Sequence, residues 1–305
     1  MTRVFVYEFT CAAPAASVDA AGATALTAEG AAMLAAALDD FARVPGVEPF
    51  TIRSVADEER AFRAAARSAD WSLVIAPEFD DILLTRCRWV LEEGGRLLGP
   101  SPAAVELCAD KLALFQHWQT RGVPTPEALS ASGQPPWPEW VLKPRFGAGS
   151  QEIERNGTVR EMGAVGPMIV QEFVHGLAAS VAFLCGPGAS VALPPAEQIL
   201  SNDDHFHYLG GCVPLPPNLA ARATTIARQA LAGVPGLCGY VGVDVVLGAA
   251  GRDWAIEINP RLTTSYLGLR QLAKSSLAAA MLRIAAGEPE ELLQWYDEPV
   301  SFAVP

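Results

Sequence analysis

The chain is 305 residues long and half apolar, with 22 basic and 34 acidic side chains and a net charge of −12. That length is about twice a typical domain, enough for two or three subdomains, and no basic tract runs along the chain to track a nucleic-acid backbone. The longest uncharged run, residues 177–196, is interrupted by Gly186-Pro187-Gly188 and Pro194-Pro195, so it reads as a hairpin and not as a membrane span.

The six cysteines are scattered without a CxxC pair, which fits reduced thiols in a cytoplasmic protein better than a zinc knuckle or a disulfide frame. The N-terminus enters an apolar strand directly, with no charged leader, long apolar core or cleavage site of a signal peptide. An acidic protein can still hold a polyanion if it focuses a few cations in one cleft. Its few lysines are therefore informative.

In chain order, residues 4–9 predict a strand, and Thr27 caps a helix reaching about Arg43. Residues 71–76 form a second buried strand. Leu83, Cys87, Val90 and Leu91 then share one helical face before Gly94-Gly95 stops it, and Arg96 to Leu98 add another strand. The pattern is a βαβ-type layer with a parallel sheet. Ser101-Pro102 starts a helix, and a second helix runs from Asp110 to Gly122. The texture changes near residue 122: a Pro-rich segment leads to a strand at residues 140–143, and further strand-like runs at 168–173, 180–184 and 190–193 predict a small antiparallel sheet. A helix at residues 217–231, strands at 240–247 and 254–258, and a helical C-terminal region complete the chain.

In the strand from Tyr240, Val241, Val243 and Val245 alternate against Asp244, and in the next strand Glu257 and Asn259 share a face opposite Ile256 and Ile258. If the two strands pair across Gly248 to Gly251, two carboxylates and an amide oxygen meet. Hard oxygen ligands of this kind suit Mg²⁺ or Mn²⁺. Pro260 keeps Asn259 extended, and Arg261 adds a planar cation able to hold phosphate or carboxylate. A polar sheet face turned to solvent is the competing explanation. Lys143 ends an apolar strand and precedes Pro144-Arg-Phe-Gly147-Ala-Gly149-Ser150, a loop that lets backbone approach phosphates but is neither a Walker A motif nor GxGxxG. Taken singly, Lys111 reads equally as a solvated lysine and Gln171-Glu172-Phe173-Val174 as an ordinary strand.

Their order is more specific: a helix-start lysine, a strand lysine with a glycine loop, QEFV, an aspartate strand, then Glu257-Ile-Asn-Pro-Arg261. Together they resemble the ATP-grasp superfamily over nearly the whole chain, and the run from Glu257 to Arg270 with Gly-Val-Asp244-Val is most similar to the tyramine-glutamate ligases of methanofuran biosynthesis. The resemblance implies an α/β ATP-grasp fold: a Rossmann-like layer at residues 1–100, a central lid subdomain at 101–175 and a C-terminal metal-binding subdomain at 176–305. It implies that Lys111 and Lys143 contact the α- and β-phosphates of ATP and that the loop from Phe146 to Ser150, with Gly147 and Gly149, closes over the triphosphate. Glu172, Phe173 and Val174 would read adenine. Asp244, Glu257 and Asn259 would hold two Mg²⁺ ions (or Mn²⁺), and Arg261 would act with Lys143 on the transferring phosphoryl group. One departure stands out: relatives place an acidic ribose ligand after the hinge glycine, whereas Gly176 is followed by Leu177, Ala178, Ala179 and Ser180.

The implied reaction activates a carboxylate as an acyl phosphate, which an amine displaces; such chemistry needs positioning and charge neutralisation, not a protein nucleophile. No GxSxG motif points to one. Small-molecule carboxylate and amine substrates are the expected partners, with glutamate a candidate acid, and a homodimer remains an open assembly state. Thr263, Thr264, Ser265, Tyr266 and Arg270 are candidate substrate contacts, with capping and a surface ion pair as alternatives. Glu8, at a strand end, is another. His205 and His207 beside Asp203 and Asp204 fit a solvated loop, a lid or an extra metal site. A phosphotransferase using the same ATP site, or a nucleotide-binding regulatory protein without turnover, are the other readings.

Overall fold

The computed structural model describes residues 1–12, 23–132, 134–147, 152–157, 167–289 and 292–304. The chain opens with β1 (Thr2–Glu8), whose inner residues Val4 to Tyr7 are wholly buried. After α1 (Phe9–Ala12) and the alanine-rich α2 (Ala23–Ala42) come β2 (Val47–Phe50), α3 (Glu58–Arg67) and β3 (Trp71–Ile75). These strands make a parallel sheet in the order β2-β1-β3. The expected strand at residues 96–98 is only a parallel bridge between Leu97 and Ser72. The charged sequence of α3, EERAFRAAAR, hides its helix from an apolar count, yet Phe62, Ala65 and Ala66 form a buried face.

Next follow α4 (Ile82–Glu92), α5 (Pro102–Ala109) and α6 (Lys111–Gln119). The helix start at Ser101 is capped, with Ser101 Oγ accepting from Ala104 N–H, and Asp110 caps α6 by accepting from Leu112 and Ala113 N–H. Thr27, expected to cap the first long helix, instead lies inside α2, which begins at Ala23. A four-stranded sheet, ordered β4-β7-β5-β6, contains β4 (Ala128–Ser130), β5 (Trp140–Pro144), β6 (Glu154–Arg155) and β7 (Met168–Glu172). A seven-stranded sheet carries the rest: β8 (Gly176–Gly186), β9 (Ala189–Ala192), β10 (Ala196–Leu200), β11 (Tyr208–Val213), β12 (Gly239–Gly248), β13 (Asp253–Asn259) and β14 (Val300–Ala303). Its order is β13-β12-β8-β10-β11-β14, with β9 paired to β8. The middle strands expected in the small antiparallel sheet thus divide, and β8 and β9 join the larger one.

Strand alternation gives the large sheet a core on each face. Val181, Phe183, Val241, Val243 and Val245 pack against α7 (Pro217–Leu231), while Ala182, Leu184 and Tyr240 face α8 (Ser265–Leu272) and α9 (Leu277–Ala285). The second core also takes in Val4, Leu34 and Phe41 of the N-terminal layer, so the two parts share one apolar interior. Helices α5 and α6 bury Ala104, Cys108, Leu114 and Trp118 with β8, β12 and α7, and Trp118 Nε1 donates to the Ala230 carbonyl. They pack with the C-terminal unit, and α6 also buries Leu112 and Phe115 against Ala128 of β4 and Ile169 of β7, so it bridges the two sheets. No helix among the described residues is long and apolar enough to cross a membrane.

Candidate active site

A cleft of about 310 Å³ lies where the small sheet faces the large one. Strands β12 and β13 pair antiparallel, with Asp244 directly opposite Glu257 and Gly242 opposite Asn259. The register shifts between Asp244 and Val245, because Val245 pairs with Ala255 and Ile256 is left over. This bulge corrects the expected strict alternation: Ala255 and Ile258 enter the core while Ile256, Glu257 and Asn259 all line the cleft.

Asn259 Nδ2 donates to Asp244 Oδ2 at 3.0 Å, and Gln198 Nε2, from β10, donates to Asp244 Oδ1 at 2.9 Å. Burial, then the facing charge of Glu257, pushes the Asp244 carboxyl well above its usual range. Burial acts the same way on Glu257, but the charges of Lys111 and Lys143 overcome it and hold that carboxyl low. Two crowded carboxylates with an amide oxygen beside them are a donor set that a hard divalent cation fits.

Lys111 is the first residue of α6, placed by the Asp110 cap. Its Nζ lies 3.6 Å from Glu257 Oε2 and donates to the Gly147 carbonyl at 2.8 Å. Asp110 also receives the Arg145 guanidinium through two hydrogen bonds of 2.7 and 2.6 Å, so the glycine loop is tied to the helix start at Pro144 to Gly147. Lys143 on β5 is only 5% exposed. Burial pushes its ammonium down to about 8 against the upward pull of Glu257 and Asp244. Gly149 and Ser150 lie outside the described residues.

The cleft's other end is apolar, lined by Pro126, Val141, Ile153, Phe173, Val174 and Ile256, with Glu172 at its edge. Phe206, from the loop between β10 and β11, stacks on Phe173 with ring centroids 5.8 Å apart. The same loop reaches the small sheet through Asp204 to Arg155 at 3.7 Å and through His205 Nδ1 beside the Ile153 carbonyl at 3.0 Å. His205 and His207 belong to this bridge; among the described residues no group of three or more His, Cys, Asp or Glu side chains stands as a metal site. Ala178 lines the cleft, with Gln198 just beyond the neighbouring register pair Ala179–Glu197.

Arg261 donates from Nε to Glu78 Oε1 at 2.8 Å, across to the N-terminal layer. Thr263, Thr264 and Ser265 line the cleft beside it. Tyr266 and Arg270 do not: Tyr266 Oη donates to Asp40 at 2.6 Å, and Arg270 pairs with Asp39 and Asp40. Both were candidate substrate contacts with local hydrogen bonding and an ion pair as the alternatives, and here they fasten α8 to α2, starting at the residue after cleft-lining Ser265. Glu8 is buried behind it, accepting from Thr10 Oγ1 and Cys11 N–H at 2.8 Å each. Sequence reading missed Glu29, Glu78, Gln198 and Phe206. Each arrives from an element distant in sequence, and only Gly30 beside Glu29, a glycine inside a helix, marked the place.

A cleft between two sheets, with Lys143 on the small-sheet wall and Lys111 beside a two-strand carboxylate set on the other, is the arrangement of an ATP-grasp enzyme. The ATP-grasp domain model matches residues 108–265 and the pre ATP-grasp 3 domain model residues 28–105; the chain belongs to the ATP-grasp family. It is similar to the tyramine–L-glutamate ligase of Methanocaldococcus jannaschii, 27% identical over 82% of this chain and 75% of that one. A D-alanine–D-alanine ligase of Gloeobacter violaceus is 25% identical over 64% of this chain and 70% of its own. A putative ATP-grasp superfamily protein from Archaeoglobus fulgidus superposes with a TM-score of 0.76 at 26% identity, over 96% of this chain and 90% of that one. This chain is an ATP-dependent carboxylate–amine ligase, and the family uses ATP with divalent metal ions.

Proposed function

We propose that the enzyme joins the carboxylate of an amino acid, with glutamate the first candidate, to a small amine, using ATP and two Mg²⁺ ions. The observation that carries the reading is the meeting of Asp244, Glu257 and Asn259 with Lys111 and Lys143 in one cleft. The similarity to tyramine–L-glutamate ligases supports glutamate as the acid. Adenine would occupy the apolar end under Phe173 and Phe206, with Glu172 and the Val174 backbone at its edge. Gln198 would supply the ribose-side contact that Ala178 cannot.

Mg²⁺ held by Asp244, Glu257 and Asn259 would neutralise phosphate charge. Lys111 and Lys143 hold the phosphate oxygens, and the buried ammonium of Lys143 interacts more strongly there than it would in water. A carboxylate oxygen of the substrate attacks the γ-phosphorus, and the bond from phosphorus to the β-phosphate bridging oxygen breaks, releasing ADP and leaving an acyl phosphate. The amine nitrogen then attacks the acyl carbon, the bond to the phosphate oxygen breaks, and the amine loses a proton. Arg261 faces the negative charge that builds on the phosphoryl oxygens, with Glu78 holding its guanidinium in place.

ADP release measured with a panel of amino acids and amines, with mass spectrometry of products, tests this. ADP that requires both an acid and an amine, with an equal amount of amide, is the expected result. A stable phosphorylated product would instead make it a phosphotransferase, and nucleotide binding without turnover across the panel a regulatory protein.

A further inference from the structure

Among the described residues, Glu29 is the one side chain from the first hundred positions that lines the cleft. It stands on α2 at the Arg261 end, away from the adenine slot, and accepts a hydrogen bond from Thr264 Oγ1. Among the described residues no basic side chain pairs with it: Arg261 exerts an attraction, but its ion pair goes to Glu78. Glu29 Oε2 makes no hydrogen bond among the described residues. Behind it, Glu8 packs so closely under α2 that a Cβ at Gly30 would sit 2.4 Å from Glu8 Oε1, and this second carboxylate adds negative potential to the same wall. Burial raises the Glu29 carboxyl, so the pocket gains from any cation that arrives there.

We infer that Glu29 is a specificity residue that receives the ammonium group of the amino-acid substrate whose carboxylate is activated beside Arg261. An arginine and a carboxylate that has a hydroxyl but no basic partner among the described residues, on adjoining walls of one cleft, match the two ends of a zwitterion, and a plain carboxylic acid would leave that carboxylate without a cation. The inference rests on the ligase reading for the location of the reacting carboxylate. Glu8, already satisfied by Thr10 and Cys11, acts from behind and does not touch the substrate.

The test is calorimetry on the full chain with Mg²⁺ and a non-hydrolysable ATP analogue, comparing alanine with propionate, aspartate with succinate, and glutamate with glutarate. At least one amino acid should bind more than about 30-fold tighter than its deamino partner. In Glu29→Gln that ratio should fall below about 3-fold while analogue affinity stays unchanged. Thr264→Val, which keeps the carboxylate but removes its hydrogen bond, should give an intermediate ratio if Glu29→Gln folds poorly. The inference is overturned if no amino acid outbinds its deamino partner, or if the ratio survives in both variants. Since no turnover is read, a failure of the ligase reading shows separately, as binding that follows these ratios without amide formation when ATP and amines are supplied.

Discussion

Lys143 shows how burial sets a residue's chemistry. With its ammonium pushed down to about 8, it exchanges its proton in the range where enzymes are assayed. The folded value lies below the unfolded one, so the unfolded chain binds more protons between about pH 8 and the ordinary lysine range, and this group's contribution to stability rises with pH through that window. ATP phosphates favour the charged form. Nucleotide binding at pH 8.5 should therefore take up a proton, seen as a dependence of the binding enthalpy on buffer ionisation heat, and Lys143→Met should abolish that dependence and weaken ATP binding. Glu257→Gln should cut ADP release by at least about 100-fold at saturating Mg²⁺ and ATP, with little change in melting temperature. Full turnover in that variant would remove Glu257 from the metal set.

At the scale of elements, the β12–β13 pair and the loop between β10 and β11 do different work. The pair fixes the donor set by register, and its bulge turns Ile256 into the cleft without taking Glu257 out of it. The loop spans from the large sheet to the small one through Asp204, His205 and Phe206. Stacking of this kind contributes about 1 kcal/mol, which is roughly five-fold in affinity. Phe206→Ala should accordingly speed nucleotide dissociation about five-fold in stopped-flow measurements, while the rate of phosphate release at saturating ATP changes little.

At the scale of the molecule, the cleft depends on the N-terminal layer being docked. The buried core continues from Val4 and Leu34 into α8 and α9, and the polar clamp of Asp39 and Asp40 with Tyr266 and Arg270 closes the same seam. Asp40→Ala would strand the buried Tyr266 hydroxyl and remove the better-buried partner of Arg270. The expected cost is about 2–3 kcal/mol in urea unfolding. Arg270→Ala should likewise lower stability and leave the KM for the acid unchanged; a raised KM with unchanged stability would return Arg270 to the substrate site.

Local physics made much of this readable without coordinates. Strand alternation put Asp244 opposite the valine face, proline order kept Asn259 in line with Glu257, and the caps at Ser101 and Asp110 form from side chains one turn from their targets. The order of lysines, glycine loop and carboxylate strands along the chain carried a resemblance to the ATP-grasp superfamily, and it was the resemblance that implied an ATP-dependent ligase. Tertiary structure decided what depends on partners far apart in sequence. Bringing α2 against the start of α8 sent Tyr266 and Arg270 to Asp40 and delivered Glu29 to the cleft, and pairing β10 with β8 set Gln198 beside Ala178. The α2 contacts span more than 200 residues of separation, a distance no local spacing encodes, and the β10–β8 contact depends on strand register.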